Sequence, residues 1–489
     1  MLRPPGLAFR PAPSMLAAMT TAPAHAASPA APAAPPARSV LAMIGNTPMI
    51  EATKLEAGPC RLFLKLENQN PAGSIKDRIG LSMIETAERE GRLKPGSTIV
   101  EATAGNTGLG LALVAGQKGY RLLLVIPDKM SQEKVQHVRA LGAEVRMTRS
   151  DVGKGHPDYY QDVAGRLARE IPGAWYADQF GNPANPRAHE TTTGPEMFAQ
   201  MSHDVDAVVC GVGSGGTITG LARYFARVSP KTRIVLADPE GSIVVHYVKT
   251  GEVKREVGSW TVEGIGEDFI PPVCDLSRVA EAYAIPDAEA FATARQVLQR
   301  EGILAGSSSG TLIAAALRYC RSRTRPERVA TLVCDSGNKY LSKMYNDFWM
   351  IDQGFIERPK KGDLSDLIAR RYAEHAVVTV GADEPLATAL TRMKMYDVSQ
   401  LPVMEKDRVV GILDESDLLI AVTRGEHRFP EPVRGSMNSR IETLPPSAPI
   451  DALFPVFAKD HVAIVMDNDK FLGLITRIDL LNHLRRQMR

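Results

Sequence analysis

One lysine of this sequence stands where its amine could react with an aldehyde. Lys76 ends the segment 70–76, which holds a Gly-Ser turn between a β-rich run and a helix-length run. The positive end of a helix and partial burial both favour the neutral, nucleophilic form of an amine. Most single lysines are solvated surface side chains. The neighbouring loops therefore decide whether Lys76 is a reactive amine or an ordinary surface residue.

A glycine-rich segment, residues 211–220, follows a buried-looking strand and opens a helix. Its backbone N–H groups and the helix N-terminus predict a phosphate site. The segment also satisfies G-x-G-x-x-G through Gly211, Gly213 and Gly216, with Asp238 about twenty residues further on, which is the pattern of a dinucleotide site. A tight strand-to-helix turn without a ligand is the third interpretation.

Two further loops favour the phosphate interpretation. Residues 101–108 place hydroxyls, the amide of Asn106 and backbone N–H groups ahead of a helix, which suits a carboxylate and a ring hydroxyl. Residues 305–310 hold three consecutive serines at another predicted strand-to-helix junction. A dinucleotide site would explain neither of these loops nor the lysine.

The elements that must position these loops form a predicted α/β unit. From about residue 39 to 352, short apolar runs alternate with helix-length segments, as in parallel strands joined by helices. The runs lack a period of two, as expected where helices cover both faces of an open sheet, and such sheets bind ligands at the carboxyl ends of their strands. The predicted strands are 61–66, 98–100, 121–126, 207–210, 233–237 and 329–334.

Length and composition limit the class of protein. Single cores stop growing near ~250–300 residues, so 489 residues predict at least two folded units. The 58 basic and 56 acidic side chains nearly balance, which argues against nucleic acid and favours a small-molecule partner. No apolar stretch reaches the roughly 18 residues that span a bilayer. Five scattered cysteines without a C-x-x-C pair predict a reducing cytoplasm, no disulfide and no metal site.

Composition also predicts where the domains lie. Residues 1–38 are rich in Ala and Pro, contain no acidic residue and predict a disordered tail before the α/β unit. A polar stretch at 353–372 predicts a linker. Beyond it, residues 402–419 align without gaps to 464–481. This repeat predicts a second domain made of two similar units, about 373–432 and 433–489.

These motifs resemble the cystathionine β-synthases, in the fold-type-II family of pyridoxal-phosphate enzymes that also contains the cysteine synthases. The resemblance covers roughly residues 39–489 and implies that Lys76 holds pyridoxal 5′-phosphate as a Schiff base. It implies that Asn106 bonds the cofactor's 3′-oxygen and that Ser308 faces the pyridine nitrogen. The phosphate is then bound by Gly213, Ser214, Gly215, Gly216 and Thr217. The substrate side is implied for Thr103, Asn106, Thr107, Gln179 and Gly264.

The same resemblance implies a β-replacement reaction. A serine is a neutral partner for the pyridine nitrogen, so the reaction is channelled to loss of a β-substituent, with Lys76 as base and acid. Residues 262–271 and 335–349 resemble the cystathionine synthases more than the cysteine synthases. The expected reaction therefore condenses L-serine with L-homocysteine to L-cystathionine in transsulfuration.

Two departures from the family leave O-acetylserine open as the donor. Glu267 stands where animal and yeast members have tyrosine, and Ala104 stands where the family often has serine. Cysteine synthesis from O-acetylserine and sulfide is the nearest alternative function. An oxidoreductase built on the G-x-G-x-x-G motif and a regulator with an inactive catalytic domain are more distant alternatives.

The C-terminal repeat resembles the paired nucleotide-sensing CBS domains. Thr476 and Asp479 keep a hydroxyl and a carboxylate three residues apart, which suits an adenosine ligand, whereas the first copy has Asp414 in place of the threonine. The resemblance implies S-adenosylmethionine, AMP or ATP as the ligand, and a dimerisation module without ligand is the alternative. It also implies a homodimer or homotetramer. The tail lacks the Cys and His pair that binds haem in animal members, so no haem is expected.

Overall fold

The structure is a computed structural model. It describes residues 36–103, 105–128, 132–153, 155–254, 256–423 and 428–487. Residues 1–35 of the predicted disordered tail lie outside these ranges. Ala104 also lies outside them. Within them, no helix is both long enough and apolar enough to cross a membrane.

The first unit alternates strands and helices as the sequence predicts. Its described strands are β1 (Met49–Glu51), β2 (Arg61–Lys65), β3 (Thr98–Ala102), β4 (Arg121–Pro127), β5 (Glu144–Thr148), β6 (Trp175–Tyr176), β7 (Ala207–Gly211), β8 (Arg233–Pro239), β9 (Val279–Ile285) and β10 (Arg328–Leu332). Its described helices are α1 (Lys76–Arg89), α2 (Asn106–Lys118), α3 (Gln132–Ala140), α4 (Tyr160–Glu170), α5 (Ala184–Ala188), α6 (Gly194–Gln200), α7 (Gly216–Val228), α8 (Val244–Thr250), α9 (Asp287–Glu301), α10 (Ser307–Arg321) and α11 (Asp347–Asp352). A π-helical turn, His189–Thr193, joins α5 to α6.

These strands form two open sheets. The first has the order β1-β2-β10-β7-β8-β9, in which β1 is antiparallel to β2 and the other pairs are parallel. The second has the order β5-β4-β3-β6, and all its pairs are parallel. Every residue of β3 is buried, so both faces of this sheet are covered by other elements. The predicted mixed α/β fold with mostly parallel sheets is confirmed.

Four helices begin at the loops that the sequence marks as functional. Helix α1 begins at Lys76 and α2 at Asn106, while α7 begins at Gly216 and α10 at Ser307. The first N–H groups of a helix have no partner inside it, and its N-terminus carries partial positive charge. The fold therefore provides several donor-rich helix ends at the carboxyl side of the strands, where negatively charged ligand groups are favoured.

A buried cluster of two cations and two carboxylates anchors the helix that begins at Lys76. Arg78 Nε and Nη2 donate to Glu67 at 2.7 and 2.8 Å, and its Nη1 and Nη2 donate to Glu196 at 2.7 and 2.6 Å. Lys65 Nζ, on β2, donates to Glu196 at 2.7 Å. Because the charges balance and each carboxylate meets a cation, the cluster fixes α1 against β2 and α6.

The second domain is a pair of similar units, as the repeat predicts. Each unit has a three-stranded sheet in which the first strand is parallel to the second and the second is antiparallel to the third. Both hairpins shift register at the same point of the repeat, Val403/Met404 in the first copy and Val465/Met466 in the second. The elements are β11 (Val380–Gly381), α12 (Leu386–Tyr396), β12 (Gln400–Glu405), β13 (Arg408–Asp414), α13 (Glu415–Thr423), β14 (Thr443–Leu444), α14 (Leu453–Phe457), β15 (Ala463–Asp467), β16 (Lys470–Ile475) and α15 (Arg477–Gln487).

Part of the segment predicted as a linker is folded. Leu364, Leu367 and Ile368 are buried and pack in one apolar cluster with Leu453 and other side chains of the second copy. Apolar side chains in such a cluster are removed from water together. The core of the second copy therefore includes residues that precede the first copy in the chain.

Candidate active site

One cavity of about 620 Å³ brings most of the predicted catalytic-unit residues together. Gly216 is the exception, since it begins α7 without lining the cavity. The predicted residues that do line it are Lys76, Thr103, Asn106, Thr107, Gln179, Gly213, Ser214, Gly215, Thr217, Gly264 and Ser308.

The amine of Lys76 is enclosed in this cavity. Burial lowers the pKa of the Lys76 amine, while the charges of Asp335 and Glu267 oppose this shift. Within the described residues, its Nζ forms no hydrogen bond or ion pair. A neutral amine is the form that attacks an aldehyde carbon, so the position suits a carbonyl cofactor.

The side-chain amide of Asn106 is held at both of its ends. Its Nδ2 donates to Asp335 Oδ2 at 2.9 Å, and its Oδ1 accepts from Lys339 Nζ at 2.8 Å. Tyr340 OH donates to the same oxygen of Asp335 at 2.9 Å. The sequence singles out residues 335–349 only as one segment. None of the side chains Asp335, Lys339 and Tyr340 was predicted as a site residue. Their one signal is the position of Asp335 shortly after β10, at the carboxyl end of a strand.

The loop between β3 and α2 is fixed by short polar contacts. Thr107 Oγ1 donates to Gln179 Oε1 at 2.6 Å, and the backbone N–H of Gln179 donates to Glu101 Oε2 at 3.2 Å. Thr103 Oγ1 accepts from the N–H of Gly105 at 3.2 Å. These bonds orient the first turn of α2, whose N–H groups suit the carboxylate of an amino acid.

The glycine-rich loop admits no side chains at two of its positions. A Cβ added to Gly213 would lie 2.5 Å from the carbonyl oxygen of Gly264. Gly215 has a φ of +80°, and its added Cβ would lie 2.4 Å from Cys274 Cβ. The backbone therefore runs close to its neighbours and leads directly into α7. A glycine-rich backbone loop of this kind, without side chains at the start of a helix, fits a phosphate group.

Side chains behind this loop hold its hydroxyls. Thr217 Oγ1 lies 3.3 Å from His189 Nε2, and His189 Nδ1 lies 3.0 Å from Thr193 Oγ1. Burial lowers the pKa of His189 well below its ordinary value, so the ring is neutral and links two hydroxyls. Asn185 Nδ2 donates to Ser214 Oγ at 2.8 Å. Sequence reasoning missed His189 and Asn185, because neither belongs to a glycine or hydroxyl motif.

The first turn of α10 presents neutral groups to the cavity. Burial raises the pKa of the Cys334 thiol to about 12, although the charge of Lys76 and then a hydrogen bond with Ser308 oppose the shift. The thiol is therefore protonated near neutral pH, beside the hydroxyl of Ser308. This wall suits a neutral partner for a ring nitrogen and offers it no carboxylate.

The dinucleotide interpretation of the glycine-rich segment fails at Asp238. This carboxylate is fully buried and accepts from the backbone N–H of Val245 at 3.1 Å, in the first turn of α8. Burial raises the pKa of Asp238 to about 7. A ribose would need an accessible acidic side chain at this place. The motif spacing is met, but its acidic residue has a structural role.

The hydroxyl and carboxylate predicted in the C-terminal repeat bind each other. Thr476 donates to Asp479 Oδ2 through its backbone N–H at 2.7 Å and its Oγ1 at 2.6 Å. In the first copy, the N–H of Asp417 donates to Asp414 Oδ1 at 2.8 Å. Each copy thus has the same turn, and its first position holds the hydroxyl of Thr476 in the second copy and the carboxylate of Asp414 in the first.

Comparisons with known proteins agree with this division of the chain. Residues 40–335 match the family described as "Pyridoxal-phosphate dependent enzyme". Residues 368–424 and 433–486 each match the CBS domain. All the lining residues of the cavity except Lys343 lie in the first match, and Thr476 and Asp479 lie in the last. The predicted pyridoxal-phosphate fold and the tandem of CBS domains are confirmed.

Several relatives are similar over nearly the whole chain. The cystathionine beta-synthase of Dictyostelium discoideum is 36% identical and aligns over 91% of this chain and 92% of its own length. Those of Oryctolagus cuniculus and Saccharomyces cerevisiae are 35% and 33% identical, again over 91% of this chain, and over 84% and 97% of their own lengths.

Solved structures match about two thirds of the chain. An O-ureido-L-serine synthase superposes with a TM-score of 0.59 at 32% identity, covering 67% of this chain and 98% of its own. A hydrogen sulfide-producing enzyme from Fusobacterium nucleatum superposes with a TM-score of 0.58 at 35% identity, covering 62% of this chain and 100% of its own. Both structures cover a smaller share of this chain than the full-length relatives do.

Proposed function

This chain belongs to the cystathionine beta-synthase family of pyridoxal-phosphate dependent enzymes, and on that premise we propose that it condenses L-serine, or O-acetylserine, with L-homocysteine to give L-cystathionine. The observation that carries the proposal is the enclosed amine of Lys76, which lies in one cavity with the glycine-rich cradle. Full-length relatives named for this activity support the choice of reaction.

The residues of the cavity fit pyridoxal phosphate. Its phosphate would lie on the 213–217 loop, its ring oxygen on Asn106, and its ring nitrogen on Ser308. When bound, this cofactor withdraws electrons from the α-carbon of an attached amino acid and makes the α-proton acidic. A neutral hydroxyl at the ring nitrogen restrains this withdrawal, which favours loss of a β-substituent.

Lys76 performs the proton transfers of the proposed reaction. Its amine would hold the cofactor through the aldehyde carbon and would be free to act as a base once the substrate is bound. The freed amine then takes the proton from the substrate's α-carbon, and the resulting ammonium returns a proton to the departing β-substituent. The N–H groups at the start of α2 hold the substrate carboxylate during these steps, with Thr107 and Gln179 fixing the turn.

The proposal is tested by mass spectrometry of the products. Purified holoenzyme receives homocysteine and sulfide together, with serine or O-acetylserine in separate reactions, beside a Lys76→Ala control. We expect cystathionine that depends on Lys76, and the faster reaction identifies the donor. Cysteine as the sole product would make the chain a cysteine synthase, and no product in either reaction would contradict both functions.

We further propose that the second CBS unit binds S-adenosylmethionine or an adenine nucleotide near Thr476 and Asp479. The hydroxyl of Thr476 at the first position of this turn supports the second copy over the first, where Asp414 stands at that position and would repel an anion. Thr476→Val should weaken binding of S-adenosylmethionine, AMP or ATP in calorimetry, with Thr423→Val of the first copy as control. No heat with any of the three ligands would favour a ligand-free dimerisation module.

The remaining features of the proposal concern assembly and compartment. We propose a homodimer or homotetramer without haem, located in the cytoplasm. Five free cysteines support a reducing compartment. Light scattering of the holoenzyme gives the assembly, and a haem absorbance band in the purified protein would contradict the prediction.

A further inference from the structure

Beyond the cofactor loops, the same cavity holds charged groups of both signs that the proposed reaction leaves without a role. We propose that they form a subsite for the second substrate, in which Glu267 binds the ammonium group of an amino-acid thiol and Lys343 binds its carboxylate. This inference rests on the proposed function and extends it, because it states how the enzyme selects an amino-acid thiol over sulfide.

Glu267 supplies the negative end of the subsite. Its side chain lines the cavity and, within the described residues, its carboxyl forms no hydrogen bond or ion pair. Burial, then the charges of Asp268 and Asp238, raise the pKa of this carboxyl, and the Lys76 amine opposes the shift. In the proposed reaction Lys76 has already returned its proton to the departing β-substituent when the second substrate binds, so its amine is neutral and gives Glu267 no cation. The raised pKa favours a protonated carboxyl in the empty cavity, and an ammonium group that arrives with the substrate would favour the ionised carboxylate and become its partner.

Lysines around Glu263 supply the positive end. Lys134 Nζ donates to Glu263 Oε2 at 2.5 Å, and Lys343 Nζ donates to Glu263 Oε1 at 2.7 Å. Both lysines and Glu263 line the cavity. Two cations share one carboxylate, so this cluster carries a net positive charge. Lys343 is the more exposed of the two amines, at 30% of its side chain against 6% for Lys134.

The wall of the cavity also offers apolar surface for methylene groups. Tyr160 and Trp260 line it together with both charged ends. An L-amino acid with a thiol side chain carries one ammonium, one carboxylate and a short apolar chain, and the cavity offers a matching group for each. Sulfide would use none of these contacts. The arrangement therefore favours the amino-acid thiol through its charged groups and not through the sulfur.

The test uses three thiols that differ by one charged group each. L-homocysteine carries both groups, 4-mercaptobutanoate lacks the ammonium, and 3-aminopropane-1-thiol lacks the carboxylate. The wild-type holoenzyme should prefer homocysteine over each analogue by about tenfold to a hundredfold in kcat/KM, as for one charged hydrogen bond. Glu267→Gln should lose this preference over 4-mercaptobutanoate and keep it over the aminothiol. Lys343→Gln should do the reverse.

Each preference is a ratio within one variant, so a loss of folding or of cofactor cannot imitate the result. Glu252→Gln is the control, because it removes an exposed carboxylate that does not line the cavity and should leave both ratios unchanged. Unchanged ratios in Glu267→Gln and Lys343→Gln would overturn the subsite while leaving cystathionine synthesis intact. A wild type that uses sulfide and no homocysteine would overturn the proposed function and the subsite together.

Discussion

Replacing Glu196 by glutamine should lower the free energy of unfolding of the catalytic unit by about 3 kcal/mol at neutral pH. Burial raises the pKa of the Glu196 carboxyl, but the hydrogen bonds and charge of Arg78, and then Lys65, outweigh it and lower the pKa from 4.5 to about 2. That difference corresponds to about 3 kcal/mol of folding free energy. Because the pKa is lower in the folded state, the stabilisation is complete above the unfolded value and is lost as pH falls from about 5 to about 2.

Urea unfolding followed by tryptophan fluorescence measures this effect. All three tryptophans of the chain lie between residues 175 and 349, so the signal reports the catalytic unit. The free energy of unfolding should be about 3 kcal/mol lower for Glu196→Gln than for the wild type at pH 7, and this difference should decrease toward zero near pH 2. Glu190→Gln is the control, because its ion pair with the exposed Arg227 should be worth less than about 1 kcal/mol. A difference in free energy of unfolding that is small at pH 7, or that stays constant down to pH 2, would refute the anchoring role of the cluster.

Two substitutions test the cofactor contacts. Asp335→Asn removes the charge that accepts from Asn106 at 2.9 Å, so pyridoxal phosphate should bind about tenfold more weakly in a fluorescence titration; unaltered affinity would mean that Asn106 needs no support. Gly213→Ala places a Cβ 2.5 Å from the carbonyl oxygen of Gly264 and should weaken pyridoxal phosphate by at least about tenfold while affecting phosphate-free pyridoxal less. Equal losses for both compounds would argue against a phosphate at this loop.

The sequence predicts the strands that are buried on both faces. All six predicted strands occur, with ends within two residues of the predicted ones. The missed strands carry a weaker signal. Strands β1 and β6 have only three and two residues. Strand β5 exposes Glu144, Arg146 and Met147, and β9 lies at a sheet edge with most side chains partly exposed. Continuous apolar runs cannot mark such edge strands, because one side of each faces solvent.

The site is predictable where one short segment carries the chemistry. Glycines, hydroxyls and a lysine at helix N-termini mark the loops from local sequence alone. The partners of these loops are different, because they come from distant parts of the chain. Asn106 and Asp335 are 229 residues apart, and His189 meets Thr217 across 28 residues. Only the folded sheets bring these pairs together, so no local pattern could have identified them.

Lys76 is the residue that we propose carries the cofactor. Borohydride reduction of the holoenzyme fixes pyridoxal phosphate to the amine that holds it, and peptide mass spectrometry then locates the added mass. We expect the phosphopyridoxyl group on Lys76 and its loss in Lys76→Ala. The group on another cavity lysine such as Lys339 or Lys134, or an unlabelled protein, would contradict it.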